Sequence, residues 1–243
     1  MNSQKAKEKE INQWLDTNTV RRILRSKIPE ENILKCRWVL TWKDLDATDA
    51  AIEGKNRKAK ARLVVLGYMD PNITEIPRDS PTLQRDSRSL LLQYCAARRW
   101  KIRSFDVKTA FLRGSRRDDR VLGIEPPNEL REKLQLKENE TCELLKSAYG
   151  LVNAPYLWYV ELKECLLSLN FQISPLDPCL FSLVDEHGAV HGLIGVHVDD
   201  GLCAGDEVFD RALQQLEIRY PFGSKRDTNF TFTGIDRKST RLN

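Results

Sequence analysis

The chain has 243 residues, 39 Lys+Arg against 35 Asp+Glu, a formal net charge of +4 and 41% apolar residues. That balance excludes a disordered tail, a fibrous chain and a disulfide-stapled miniprotein, and the length can bury a core as one large domain or two subdomains. No apolar run reaches the roughly 20 residues needed to cross a bilayer, and residues 1–5 open no apolar signal segment.

Residues 4–15 place Ile11, Trp14 and Leu15 at helical spacing among charges and predict a short amphipathic helix. The aromatic and β-branched run 38–42 predicts a strand, the polar stretch 44–56 a loop, and 60–66 the returning strand of a two-stranded flap. Residues 70–81 hold Pro71, Pro77 and Pro81 and read as an extended connection. Asp86 or Ser87 can cap a helix whose face is Leu90, Leu91, Tyr94, Cys95 and Ala97. Residues 102–107 form a strand, and 114–140 are charged and weakly patterned. Ala154-Pro155 opens a helix with Trp158, Leu162, Cys165, Leu166 and Leu169 as its stripe. Strands at 179–184 and 190–198 are joined by a turn, 201–205 returns, and Asp206 caps a helix with Phe209, Ala212, Leu213, Leu216 and Tyr220 on one face. A last strand is expected at 229–233. Helices set between hairpins point to an α+β fold.

The six cysteines have no CxxC spacing and read as buried small hydrophobes of a reducing, intracellular compartment. Two basic clusters stand out: Lys55, Arg57, Lys58, Lys60 and Arg62, then Arg113, Arg116, Arg117 and Arg120. Each can bind phosphates or be a solvated loop or helix end. His187 and His191 read as surface residues.

Asp199 and Asp200 lie between two apolar runs. Carboxylates inside a central hairpin are tolerable only at a turn or beside a compensating cation. An ordinary Asp-Gly turn fits the same string. Asp106 ends the apolar strand 102–107, either as a turn cap or as a third carboxylate. Three such acids on neighbouring strands would suit Mg²⁺, which takes hard oxygen ligands together with substrate phosphates.

Four strings occur in order: residues 60–64 (Lys-Ala-Arg-Leu-Val), 106–112 (Asp-Val-Lys-Thr-Ala-Phe-Leu), 149–155 (Tyr-Gly-Leu-Val-Asn-Ala-Pro) and 198–200 (Val-Asp-Asp). Together they resemble the reverse transcriptase of copia-type LTR retrotransposons, an RNA-dependent DNA polymerase, from about residue 12 to 235. The resemblance implies a right-hand polymerase with fingers and palm, the palm an antiparallel sheet backed by helices. It assigns 1–101 to an N-terminal helix and fingers, 102–117 to palm, 118–155 to fingers and 156–235 to palm. Thumb and RNase H, which follow in the family, have no counterpart in these strings. Residues 236–243 read like an in-frame sequencing adapter and are expected to be an artefactual tail.

By the same resemblance Asp106, Asp199 and Asp200 are the catalytic and metal-binding carboxylates, holding two Mg²⁺ or Mn²⁺ ions. Lys60 and Arg62 hold the incoming triphosphate. Phe111 stands at the position that crowds a 2′-hydroxyl, Tyr149 and Gly150 pack on the nascent pair, and Lys55, Arg57 and Lys58 meet nucleic acid. Partners are an RNA or DNA template-primer, dNTPs and the rest of a Gag-Pol polyprotein, with no membrane. Residence is cytoplasmic, in the family's virus-like particle, or nuclear. The chain departs from the pattern at His197, where Tyr is usual, at Val152-Asn153 in place of Lys-Gln, and at Tyr156 in place of Arg. His197 can titrate near neutrality and touch the primer end, or simply pack. The expected function is primer extension by dNTPs; the alternative is a catalytically inactive nucleic-acid-binding remnant.

Overall fold

The structure is a computed structural model, and it describes residues 3–44, 56–116, 119–227, 230–233 and 235–237. Helix α1 (Ser3–Asp16) leads to strands β1 (Val20–Leu24), β2 (Ile33–Leu34), β3 (Cys36–Asp44) and β4 (Arg57–Val65). Helix α2 (Arg85–Ala97) and β5 (Arg103–Val107) follow, then β6 (Gly123–Ile124), helix α3 (Asn128–Leu134), β7 (Glu140–Leu144) and helix α4 (Ala154–Ser168). Next come β8 (Phe171–Ser174), β9 (Asp177–Val184), β10 (Val190–His197), β11 (Asp200–Gly205), helix α5 (Glu207–Arg219), β12 (Phe222–Arg226), β13 (Phe230–Phe232) and β14 (Ile235–Arg237). Pairing is antiparallel except between β2 and β6, so the fold is α+β.

Two compact units are present, Met1–Arg78 with Phe111–Leu157, and Asp79–Ala110 with Trp158–Asn243. The sequence reading set its boundaries after residues 101, 117 and 155. The difference matters for α2, expected with the fingers: its Leu91 and Cys95 share a core with Leu193 and Leu202 and so belong to the second unit.

In the first unit, β3 and β4 form the expected flap, in register from Cys36↔Val65 to Asp44↔Arg57. Alternation turns Ala61, Leu63 and Val65 inward and leaves Lys60 and Arg62 exposed. Helix α1 buries Ile11 and Trp14 in the same core as Leu63 and Val65. Glu10 caps the open edge of β4: its Oε1 accepts from Leu63 N at 3.3 Å and from Trp14 Nε1 at 3.2 Å. Burial pushes the Glu10 carboxyl above its usual range. A four-stranded sheet, β1-β7-β6-β2, completes the unit. Much of the 114–140 region without pattern is therefore ordered, as β6, α3 and the start of β7.

The second unit is built on a six-stranded sheet in the order β12-β5-β11-β10-β9-β8. On β10, a Cβ on Gly195 would meet Leu83 and Leu91, and one on Gly192 would meet Phe209. The sheet is thus covered by α2 on one face and α5 on the other, which is why β10 is almost continuously apolar. Asp206 caps α5 as expected, accepting from Val208 N and Phe209 N.

Several expectations need correction. Helix α2 starts two to three residues earlier than either expected cap, with Gln84 as its cap residue and no side-chain cap bond, because Gln84 N donates to the buried Asp177 at 2.9 Å. Asp86 and Ser87 instead lie in its first turn. Its buried stripe is Ser87, Leu91 and Cys95, while Leu90 and Ala97 are exposed. His191 is not a bare surface residue: Nδ1 lies 2.8 Å from Asp206 Oδ2 and Nε2 lies 3.4 Å from Asp185 Oδ2. Those partners, Asp206 first, hold its pKa above the usual value. All six cysteines are free, five of them buried. Lys55, Arg117, Asn229 and residues 238–243 lie outside the described residues.

Candidate active site

In the second unit Asp106 and Asp200 are direct cross-strand partners of β5 and β11. Opposed residues of an antiparallel pair project from the same face of the sheet. Asp106 is half-buried between β11 and β12, its Oδ2 lying 2.5 Å from where a Cβ on Gly223 would stand. A side chain at 223 would push that carboxyl from its place. Asp199 occupies the bend between β10 and β11, and its carbonyl accepts from Val107 N at 2.9 Å. The three acids expected to act together are therefore gathered at the end of one strand pair.

That crowding has an electrostatic consequence. Asp200 is exposed at its strand end, yet partial loss of hydration, then the negative charges of Asp199 and Asp106, push its pKa up to about 6. A carboxyl that resists ionising beside two others marks a place short of positive charge.

The bend is strained. His197 pairs with Asp200, leaving Val198 and Asp199 as a two-residue loop. Val198 has φ +60°, in the left-handed region that β-branched residues avoid. Such a residue costs about 1–3 kcal/mol and persists only where its surroundings hold it. Here Trp158 Nε1 donates to Val198 O at 2.8 Å. Sequence reasoning placed Val198 at the end of the strand 190–198 and Trp158 in a core stripe, and did not foresee the bend at 198 or the place of Gly223. A non-glycine at the first position of a two-residue hairpin loop was the available signal for Val198. His197 packs, its ring edge-on to Phe232 at 6.5 Å.

The residues expected at the nucleotide gather in the first unit. The Arg62 guanidinium lies 5.5 Å from the Tyr149 ring centre, and Phe111 meets Tyr149 edge-to-face at 5.6 Å. Gly150 has φ +91°, and a Cβ there would fall 2.1 Å from Val65 O, so glycine alone lets the 149–151 segment lie on β4. Tyr149 O also accepts from Val65 N at 2.7 Å. Lys60 sits two residues from Arg62 and is exposed on the same face. Of the nucleic-acid set, Arg57 is exposed and pairs with Asp44 at 2.7 Å, and Lys58 is half-buried.

The second basic cluster is largely turned to internal use. Arg116 donates to the carbonyls of Leu144 and Arg120, and Arg120 reaches both oxygens of Asp70 at 2.9 and 3.0 Å. Although burial works to raise it, those bonds hold the Asp70 carboxyl below its usual range.

Among the described residues, no group of three or more His, Cys, Asp or Glu side chains is arranged to hold a metal ion. The fit of Asp106, Asp199 and Asp200 to a divalent cation is therefore one of donor type and charge.

Over residues 23–225 the sequence matches the family described as reverse transcriptase (RNA-dependent DNA polymerase). It is 34% identical over 209 residues to the Retrovirus-related Pol polyprotein from transposon RE1 of Arabidopsis thaliana, covering 85% of this chain and 13% of that protein. To the corresponding RE2 polyprotein of the same plant it is 33% identical, covering 86% of this chain and 14% of that protein. A solved structure of the prototype foamy virus protease-reverse transcriptase superposes with a TM-score of 0.45 at 12% identity, covering 94% of this chain and 25% of that one. The chain thus spans a small part of the length of its relatives.

Proposed function

Because the chain belongs to the reverse transcriptase (RNA-dependent DNA polymerase) family, among relatives that are Pol polyproteins of copia-like transposons, we propose that it extends a primer 3′-hydroxyl with dNTPs along an RNA or DNA template, releasing pyrophosphate. The observation that carries this reading is the pairing of Asp200 with Asp106 beside the bend that bears Asp199. Two Mg²⁺ or Mn²⁺ ions held by these carboxylates would activate the attacking hydroxyl and neutralise the triphosphate. The part of the three aspartates is to offer hard oxygens from fixed strand ends, so that reactants are positioned rather than searched for. Asp106 and Asp199 would be the main ligands, with Asp200 assisting.

Lys60 and Arg62 grip the triphosphate, Arg62 being oriented by the face of Tyr149. Phe111, set by its edge contact with Tyr149, excludes a 2′-hydroxyl. Tyr149 and Gly150 pack on the nascent pair, and Lys55, Arg57 and Lys58 meet template phosphates. The rest of a Gag-Pol polyprotein is the wider partner.

The test is Mg²⁺-dependent incorporation of dNTPs on a primed template. Asp199→Asn should lower it at least about 100-fold with the circular dichroism spectrum unchanged. A soluble Asp199→Asn protein extending primer at the wild-type rate sinks the reading. Template binding without catalysis is the second reading, and the basic residues Lys60 and Arg62, exposed on one face of β4, suit it equally. It predicts salt-dependent binding with no incorporation.

A further inference from the structure

Trp158 lies in the first turns of α4, fully buried, at 0% exposure. Its ring stands edge-on to Tyr220, with centres 5.3 Å apart and planes at 84°, and the Tyr220 hydroxyl donates to Glu161 at 2.8 Å. The indole is thus packed in the core against a ring that is itself hydrogen-bonded. Its one polar group, Nε1–H, goes to Val198 O. The next carbonyl along, that of Asp199, accepts from Val107 N, the residue after Asp106. Two successive carbonyls of the loop are therefore tied, one to α4 and one to β5. The first of these carbonyls belongs to a valine at φ +60°, which left to itself would turn toward negative φ and swing Asp199 with it.

We propose that Trp158 is a positioning residue: its indole N–H holds the 197–200 bend in the strained form that sets Asp199 and Asp200 against Asp106. For its catalytic consequence the proposal rests on the polymerase reading; for its structural content it does not.

The experiment removes the N–H in two ways in the whole chain. Trp158→Phe deletes it with some ring volume, and benzothienylalanine placed at 158 by codon suppression deletes it at constant shape, which covers the case in which Trp158→Phe does not fold. Amide hydrogen exchange is read first. Loss of one neutral hydrogen bond should speed exchange at Val107 about tenfold, with Leu202 and Cys203, farther along β11, unchanged. Adding Val198→Gly should restore slow exchange, since glycine holds positive φ without strain. Incorporation is read second: kcat should fall about tenfold with KM for dNTP and for primer-template unchanged, and recover with Val198→Gly. Unchanged exchange at Val107, or no recovery with Val198→Gly, overturns the proposal. Altered and rescued exchange with incorporation indifferent to both Trp158 and Asp199 would overturn the polymerase reading, and with it the catalytic half of the proposal.

Discussion

Replacing Asp200 by asparagine probes the charge crowding at the three aspartates directly. The Asp200 carboxyl has an ordinary value of 3.8 and is pushed up to about 6 by partial burial and by Asp199 and Asp106. A displacement of that size corresponds to roughly 3 kcal/mol at full strength. Asp200 is exposed, so water screening leaves about 1 kcal/mol or less. The sign follows from proton counting. Between pH 4 and 6 the folded chain keeps this proton while the unfolded chain has lost it, so stability contributed here is present at low pH and falls as pH rises through that window. Asp200→Asn carries no such charge. Relative to wild type it should gain stability as pH rises from about 4 to 6, reaching about 1 kcal/mol at pH 7. Urea unfolding of both proteins at half-unit pH steps measures the difference, and ¹³C-detected titration of the carboxyl measures its pKa. A difference flat with pH, together with an Asp200 carboxyl titrating near 4, refutes the reasoning.

Two further outcomes test the packing around the sites. Asp206→Ala removes both the cap of α5 and a partner of His191, and should cost about 1 kcal/mol from the cap alone, seen as a lower urea midpoint. His191 is stabilised in its charged form, so its share of the loss is present below the ordinary histidine value and vanishes as pH rises through its elevated pKa; an equal loss at pH 5.5 and 8.5 contradicts the pairing. Arg120→Met leaves the Asp70 carboxylate, only 2% exposed, without its cation and should destabilise by about 3–5 kcal/mol, whereas a change within about 0.5 kcal/mol shows that the Arg120–Asp70 pair contributes nothing.

What was legible in the sequence was local. The α1 stripe of Ile11 and Trp14, the alternation of β4 and the Asp206 cap each depend on residues a few positions apart, and each stands where the pattern put it. The short strands β1, β2 and β6 left no pattern, because runs of two to five residues are too brief for a period and owe their form to partners as distant as Leu144, paired with Val20. The position of α2 also went astray: Asp86 and Ser87 are ordinary cap residues, but the bond from Gln84 N to Asp177 decides where the turn begins.

For the candidate site the division is the same. Asp106 and the Asp199–Asp200 pair could be singled out as candidates from order and residue type, since motif strings are contiguous in the chain. Their meeting could not, because the register Asp200↔Asp106 is made between strands 94 positions apart, by subtraction of their numbers, and is set by the pleat and by the helices on the two faces of the sheet. Sequence alone determined which side chains could supply charge, rings and hard oxygens. Tertiary packing alone decided which of them face one another, which carboxyl resists ionising, and that a buried indole keeps a valine in a conformation it would otherwise leave, because such effects depend on distances through space between residues remote along the chain.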